Sequence, residues 1–371
     1  MIRKKLDHEP SSSQINMSKT VFVLGAGATR GCSFVGEMKR LGHCIPPLDA
    51  DFFTQLQRVS SRAHAERVER LIEGLVEWFG PNYSLGMEQV FCHLEHAERM
   101  LRHLQKETGL DYEKVVELKK DLEQSIAIIL GESLTKVKTG GVGSYELRQC
   151  VWHDKLVSEL AEAGDAFVSF NYDCVLDDSL RRNGHGKWDP HFGYGFKLRP
   201  KGKGLSGDGH WFPKGGTKLD RDDTIQVHKV HGSLHFTRKK DEAVLKQRPY
   251  GNPRAASGNL KFTIIPPESS KSYDEGAFGR IMKNAYQSLR KGTRLVVIGY
   301  SLPPSDQHAE SLFRFGVKKS GLDSLVIVNP DRESRRRVRL AVQSGLQAST
   351  RVLSFDYLEE FVHADPAIWK A

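Results

Sequence analysis

Thr20-Val21-Phe22-Val23-Leu24-Gly25-Ala26-Gly27-Ala28-Thr29-Arg30-Gly31 decides how the rest of the chain is read. The first five residues are apolar or β-branched, the composition of a strand covered on both faces. Closely spaced glycines follow at once, as a chain needs if its backbone N–H groups are to approach a phosphate where a helix begins. The stretch reads as a nucleotide-binding turn, with a plain tight turn as the alternative for these residues alone. A hydride-transfer fingerprint would put a third glycine where Arg30 stands, and an acidic residue at the end of a second strand about 20 residues on. Asp49 and Asp51 stand near that distance but follow Pro46-Pro47, in no strand. No Lys-Ser or Lys-Thr closes the glycine run, so the loop that cradles triphosphates is a poorer match still. A nucleotide site of neither kind remains.

At 371 residues, with 39% hydrophobic and 27% charged residues, the chain is long enough for a large α/β domain with an inserted helical subdomain. The formal net charge of +9 favours acidic partners: nucleic acid, a phosphate-bearing small molecule or an acidic protein face. Cys32, Cys44, Cys92, Cys150 and Cys174 are odd in number and include no C-x-x-C pair, which argues against a disulfide framework and a four-thiolate zinc module. There is no apolar run of about eighteen residues, and residues 1–18 are polar without an apolar signal core, so the expectation is a soluble, cytoplasmic protein away from membranes.

Residues 1–18 read as a flexible arm, 19–49 and 164–371 as a Rossmann-like domain with a mostly parallel sheet, and 50–163 as the helical insertion. Met87, Val90, Phe91, Leu94, Ala97, Leu101 and Leu104 repeat at helical spacing, as do Val115, Leu118, Leu122, Ile126 and Ile129. These stripes suit core or a subunit interface. Ile45-Pro46-Pro47-Leu48-Asp49 is a rigid segment that either lies across a ligand or merely connects. Residues 183–223 are glycine-rich without periodicity and read as a loop over the site.

Further strands end in polar residues. Ala166–Phe170 runs into Asn171-Tyr172-Asp173, Thr224–Val230 into His231-Gly232-Ser233, Leu295–Ile298 into Gly299-Tyr300-Ser301, and Leu325–Val328 into Asn329-Pro330-Asp331. In an open parallel sheet such residues face the ligand crevice. Asn171 and Asp173 are site candidates with helix capping as the alternative, Asp306 reads as a helix cap, and His231 is placed for proton transfer. A strand over Leu260–Pro267, stopped by its prolines, and a helix over Asp274–Arg290 complete the expectation, and Arg332, Arg335, Arg336, Arg337 and Arg339 read as a solvated or interface face, with an acidic partner as the alternative. His228, His231 and His235 do not form a metal set, because the first two point to opposite strand faces.

Gly-Ala-Gly-Ala-Thr, Phe-Asn-Tyr-Asp, Val-His-Gly-Ser, Gly-Tyr-Ser-Leu and Val-Asn-Pro-Asp, in that order, resemble the sirtuin family, and above all the SIR2-like domains of bacterial anti-phage defence proteins. The resemblance covers about residues 19–53 and 165–331. It implies that Asn171 and His231 are catalytic. It also implies NAD binding by Gly25, Ala26, Gly27, Thr29, Asp49, Asp173, Gly299, Ser301 and Asn329. Sirtuin deacetylases carry a four-cysteine zinc module after the His-Gly motif, whereas no cysteine follows Cys174 here, so no zinc is expected. The implied activity is an NAD glycohydrolase that depletes NAD in phage defence. An NAD- or ADP-ribose-binding scaffold for an ATPase or nuclease is the alternative, and a protein deacylase fits less well. Homo-oligomers, a HerA-type hexameric ATPase partner and nucleic acid are the associations the resemblance and the basic charge suggest.

Overall fold

The structure is a computed structural model that describes residues 19–108, 112–137, 145–194, 199–200, 219, 223–239, 242–245, 263–264, 276–317 and 321–370. Six short strands form the central sheet: β1 Thr20–Leu24, β2 Ala166–Ser169, β3 Gln226–Lys229, β4 Arg294–Ile298, β5 Ser324–Val328 and β6 Arg351–Phe355. They lie in the order β3-β2-β1-β4-β5-β6, and every neighbouring pair is parallel. Parallel neighbours need crossovers that cover the faces of the sheet. Accordingly β1, β2, β4 and β5 are buried at every position, and only the edge strand β6 is open to solvent. The fold is the expected α/β Rossmann-like one, with β6 as a strand the motifs did not announce.

The order makes β1 the centre. The chain steps one way through β2 and β3, then returns to the other side of β1 for β4, β5 and β6. At the carboxyl ends of β1 and β4 the connections therefore diverge, and a crevice opens between them.

Between β1 and β2 the chain is mainly helical, as expected, with α1 Ala26–Arg30, α2 Val35–Arg40, α3 Phe52–Leu56, α4 Ala65–Phe79, α5 Met87–Thr108, α6 Tyr112–Leu134 and α7 Val151–Lys155. Val90, Phe91, Leu94, Leu101, Val115, Leu122, Ile126 and Ile129 are all buried in one core that also contains the sheet. The two apolar stripes are thus covered within the chain itself and supply no argument for a subunit interface. A short antiparallel pair, Thr135–Val137 with Tyr145–Leu147, was not expected, and the glycine-rich residues 138–144 between its strands lie outside the described residues.

After β2 come α8 Val175–Asn183, α9 Gly276–Lys291 before β4, α10 Gln307–Val317 before β5, and α11 Arg332–Ala341 before β6. The expected strand over 260–267 is described only at Thr263–Ile264, which pairs antiparallel with Gly232–Ser233 and takes no place in the main sheet. Residues 1–18 and most of 195–222 lie outside the described residues, so the expected arm and most of the expected loop do too. Among the described residues no helix is long and apolar enough to cross a membrane.

The amino end of the sheet is sealed by polar ties. Asp165 accepts the Thr20 N–H at 2.8 Å and the Glu162 N–H at 2.9 Å. Arg294 donates to the Thr20 hydroxyl and to the Lys370 carbonyl, both at 3.0 Å, and Ser324 donates to the Trp369 carbonyl at 2.8 Å. Trp369 is fully buried and meets Phe22 edge-on at 6.3 Å, while Phe22 stacks on Phe167 at 4.9 Å. Sealing this end leaves the carboxyl end as the open one.

Burial pushes the Asp165 carboxyl up to about 6, against the lowering by its two N–H donors. In the unfolded chain it would titrate near the ordinary value of about 3.9. Between those values the folded state holds the extra proton, so Asp165 makes stability fall as pH rises from about 4 to 6, by an amount of the order of 2 to 3 kcal/mol. Asp165→Asn is expected to flatten that part of the pH–stability curve in urea unfolding. An unchanged slope would contradict the assignment.

Candidate functional site

Two backbone turns meet at the carboxyl ends of β1 and β4. Gly25 N–H donates to the Ile298 carbonyl at 3.0 Å and Gly27 N–H to the Gly299 carbonyl at 2.8 Å, so the glycine turn lies directly on the turn after β4. A Cβ on Gly27 would stand 2.7 Å from the Gly299 Cα, and one on Gly25 would stand 2.5 Å from the Tyr300 Cα. Gly299 has φ +61, and a Cβ there would meet the Ala28 nitrogen at 2.1 Å. The glycines are required first by this contact. Their N–H groups are engaged there, which leaves other groups of the turn to meet a ligand.

A polar network ties the turn to β2. Asn171 Nδ2 donates to the Gly25 carbonyl at 3.0 Å and to Thr29 Oγ1 at 3.1 Å, and the Thr29 hydroxyl donates to Asp173 Oδ2 at 2.7 Å. The Gly25 carbonyl is only an acceptor, so the network fixes which end of the Asn171 amide is nitrogen. With both amide hydrogens in use, the Asn171 oxygen is the group it offers to a ligand. Asp173 Oδ1 accepts the Val175 N–H at 2.9 Å, so the capping and site readings of Asp173 hold together.

His231 follows β3 and is buried. Its Nε2 lies 3.2 Å from Asp306 Oδ2, and the same oxygen accepts the Tyr300 hydroxyl at 2.7 Å. Asp306 Oδ1 accepts the Ala309 N–H at 3.2 Å, the expected cap of α10. Phe170 stacks on Tyr300 at 4.1 Å and meets the His231 ring edge-on at 5.1 Å. Asp306 thus joins a capping role to the orientation of an imidazole, which spacing along the chain did not reveal.

These groups line one cleft of about 610 Å³. Ala26, Gly27, Thr29, Asn171, Asp173 and His231 face it, as do Gly299, Ser301 and Asn329 from the far side of the switch point. Gly25 holds the wall from behind through Ile298 and Asn171. Asn329 donates to the Tyr300 carbonyl at 3.4 Å and accepts the Asp331 N–H at 3.0 Å. Asp49 lines the cleft too, but its Oδ1 accepts the Glu88 N–H at 2.7 Å, and burial raises its carboxyl against the lowering by the Glu88 and Met87 N–H groups. Its carboxylate thereby caps α5.

Several lining residues escaped the sequence reading. Arg30, in the place of a third glycine, donates to the Pro46 carbonyl at 2.6 Å and pairs with Asp51. It pins the proline segment against the cleft, where Pro46, Pro47 and Leu48 form a wall. Ile126 and Leu130 of α6 and Met87 of α5 bring the helical insertion into the same wall. Arg337 donates to the Ser301 carbonyl at 3.0 Å and lines the cleft, and Arg335 bonds the Asn329 carbonyl and Asp356. The arginine run is therefore not simply a solvated face. Its signal was position, since Ser334 and Arg337 are three apart on the helix that leaves the β5 strand end.

Residues 165–348 match the family described as the SIR2-like domain. The chain carries a SIR2-like domain. No curated protein gives a match to the chain. The match holds β2, β3, β4 and β5, whereas β1 with its glycine turn lies outside it, in the middle of the same sheet. SIR2-like domains are NAD-dependent enzymes, and NAD is the ligand the family implies here. The cleft fits such a molecule: its volume is that of a cofactor site, and it offers hydroxyl, amide and guanidinium groups between apolar walls.

Gly299→Ala and Gly42→Ala separate backbone strain from contact. Both positions have positive φ, +61 and +69, but nothing lies within 4 Å of a Cβ at Gly42. Gly42→Ala is expected to cost about 1 kcal/mol and Gly299→Ala several times more, with loss of NAD binding. Equal costs in thermal or urea unfolding would show that the contact does not constrain the turn.

Proposed function

We propose that the chain is an NAD glycohydrolase that splits NAD into nicotinamide and ADP-ribose. The observation that carries this reading is the meeting of Asn171 and a carboxylate-paired His231 in the cleft that the glycine turn borders. The bond between ribose C1′ and the pyridinium nitrogen breaks with its electron pair leaving on nicotinamide, and the sugar becomes oxocarbenium-like. A water adds at C1′ and gives up a proton. Asp306 favours the tautomer with the proton on His231 Nε2, which makes Nδ1 the basic nitrogen for that transfer. The Asn171 oxygen accepts a hydrogen bond from the water or a ribose hydroxyl and orients it.

The wider role we propose is depletion of NAD in anti-phage defence, with turnover restrained until a signal or partner engages the chain. It rests on the resemblance to defence proteins and on the lack of any cysteine after Cys174 with which to build a deacetylase zinc module.

Nicotinamide release tests the chemistry. His231→Ala and Asn171→Ala are each expected to lower the rate by about 100-fold or more, and Asp306→Asn by about 10-fold or more, with smaller changes in KM. Rates unaffected by His231→Ala would refute the assignment. Binding of NAD or ADP-ribose without turnover, in every assembly state, would favour a scaffold instead.

A further inference from the structure

Cys32, Cys150 and His153 come from distant parts of the chain and meet behind the glycine turn. Cys32 follows Gly31, which ends α1; Cys150 precedes α7, and His153 lies one turn further on, a C-x-x-H spacing. His153 Nδ1 is 3.2 Å from Cys150 Sγ and 3.8 Å from Cys32 Sγ, and the three ligand atoms all lie within 4.8 Å of one another. The residues are only 4%, 1% and 1% exposed. We propose that Cys32, Cys150 and His153 form a buried site for a thiolate-preferring divalent transition-metal ion, with zinc the first candidate.

Two sulfurs and an imidazole nitrogen are a donor set that zinc takes, and a tetrahedral ion bonded to them sets ligand-to-ligand edges of about 3.6–3.8 Å. Two edges of the triangle, 3.2 and 3.8 Å, are near that size and the third lies within 4.8 Å, so an ion would need shifts of about 1 Å or less. Each thiol loses its proton to solvent as its sulfur binds the metal, and water takes the fourth position. A second group, Cys174, Asp177 and His235, is also compact but differs in charge. There the Lys229 ammonium lies 3.2 Å from Asp177, and Tyr194 donates to the same carboxylate at 2.6 Å, so a cation is already supplied.

The ion would act from a telling position. Cys32 N–H donates to the Thr29 carbonyl at 3.1 Å, and Thr29 holds Asn171 and Asp173. Asp154, beside His153, accepts from Arg182 Nη2 at 2.6 Å and from the Ser179 hydroxyl at 2.8 Å in α8. A metal would therefore join the end of the glycine turn to α7 and, through it, to α8. It stands independently of what occupies the cleft.

Metal content decides the matter. The full chain, produced in zinc-supplied medium and dialysed, is expected to hold about one zinc per chain by mass spectrometry. Cobalt added to the chelator-treated protein should give thiolate-to-cobalt charge-transfer absorption that saturates at about one equivalent per chain. Cys32→Ser, Cys150→Ser and His153→Ala should each reduce bound zinc about tenfold or more, and Cys174→Ser should leave it unchanged. Wild-type chain with no zinc and no cobalt absorption overturns the site, as does a Cys32–Cys150 disulfide in its place. Retention in Cys32→Ser with loss in Cys174→Ser overturns it as well. If a variant does not fold, the intensity of the wild-type cobalt–thiolate band decides: two thiolates per cobalt support this site, and one thiolate, as Cys174–Asp177–His235 would supply, overturns it.

Discussion

The hydrogen bond from Gly27 N–H to the Gly299 carbonyl is the contact on which the site depends. It forms because β1 and β4 are parallel neighbours at the point where the chain reverses its direction across the sheet. Both strands end at the same level, so the turns that follow them touch before they diverge, and only residues without a Cβ allow backbones to come so close there. Once they touch, the walls of the cleft are set. One side carries Asn171 and His231 from β2 and β3; the other carries Ser301, Asn329 and Arg337 from the β4 and β5 ends.

The contact also assigns work to the side chains. With the Gly25 and Gly27 N–H groups engaged by Ile298 and Gly299, polarity at the cleft comes mainly from Thr29, Asn171, Asp173, His231 and the guanidinium of Arg337. Buried polar groups are stable only when their partners are present, and here they are joined in chains: Gly25 to Asn171 to Thr29 to Asp173, and Tyr300 to Asp306 to His231. Such chains hold an amide and an imidazole in fixed orientation before any ligand arrives. Preorganisation of that kind suits hydrolysis of a substrate whose leaving group departs readily.

β1, β2, β4 and β5 were legible in the sequence because each is a short apolar run that leads into polar residues, and because parallel sheets bury both faces; their order across the sheet and the edge strand β6 were not. Asn171 and His231 stood out as residues just past strand ends, and Thr29 through the family resemblance of the glycine turn. The partners did not. Asp306 lies 75 residues beyond His231 and wears the signature of a helix cap. Arg30 and Arg337 looked like a misplaced glycine and a surface charge, since the proline segment and the Ser301 carbonyl they hold are brought to them only by the fold. Asp49 shows the opposite case: its place in the cleft was foreseen, but its carboxylate belongs to the start of α5. The helical insertion lacked a motif, yet Met87, Ile126 and Leu130 reach the cleft, because its apolar stripes share one core with the sheet.

A crystal structure of the chain with ADP-ribose and nicotinamide tests the central claim most directly. The account predicts the diphosphate beside Ala26, Gly27 and Thr29, with the ribose that carried nicotinamide between Asn171 and His231. Ligand bound elsewhere on the molecule, with this cleft filled only by solvent, would contradict it.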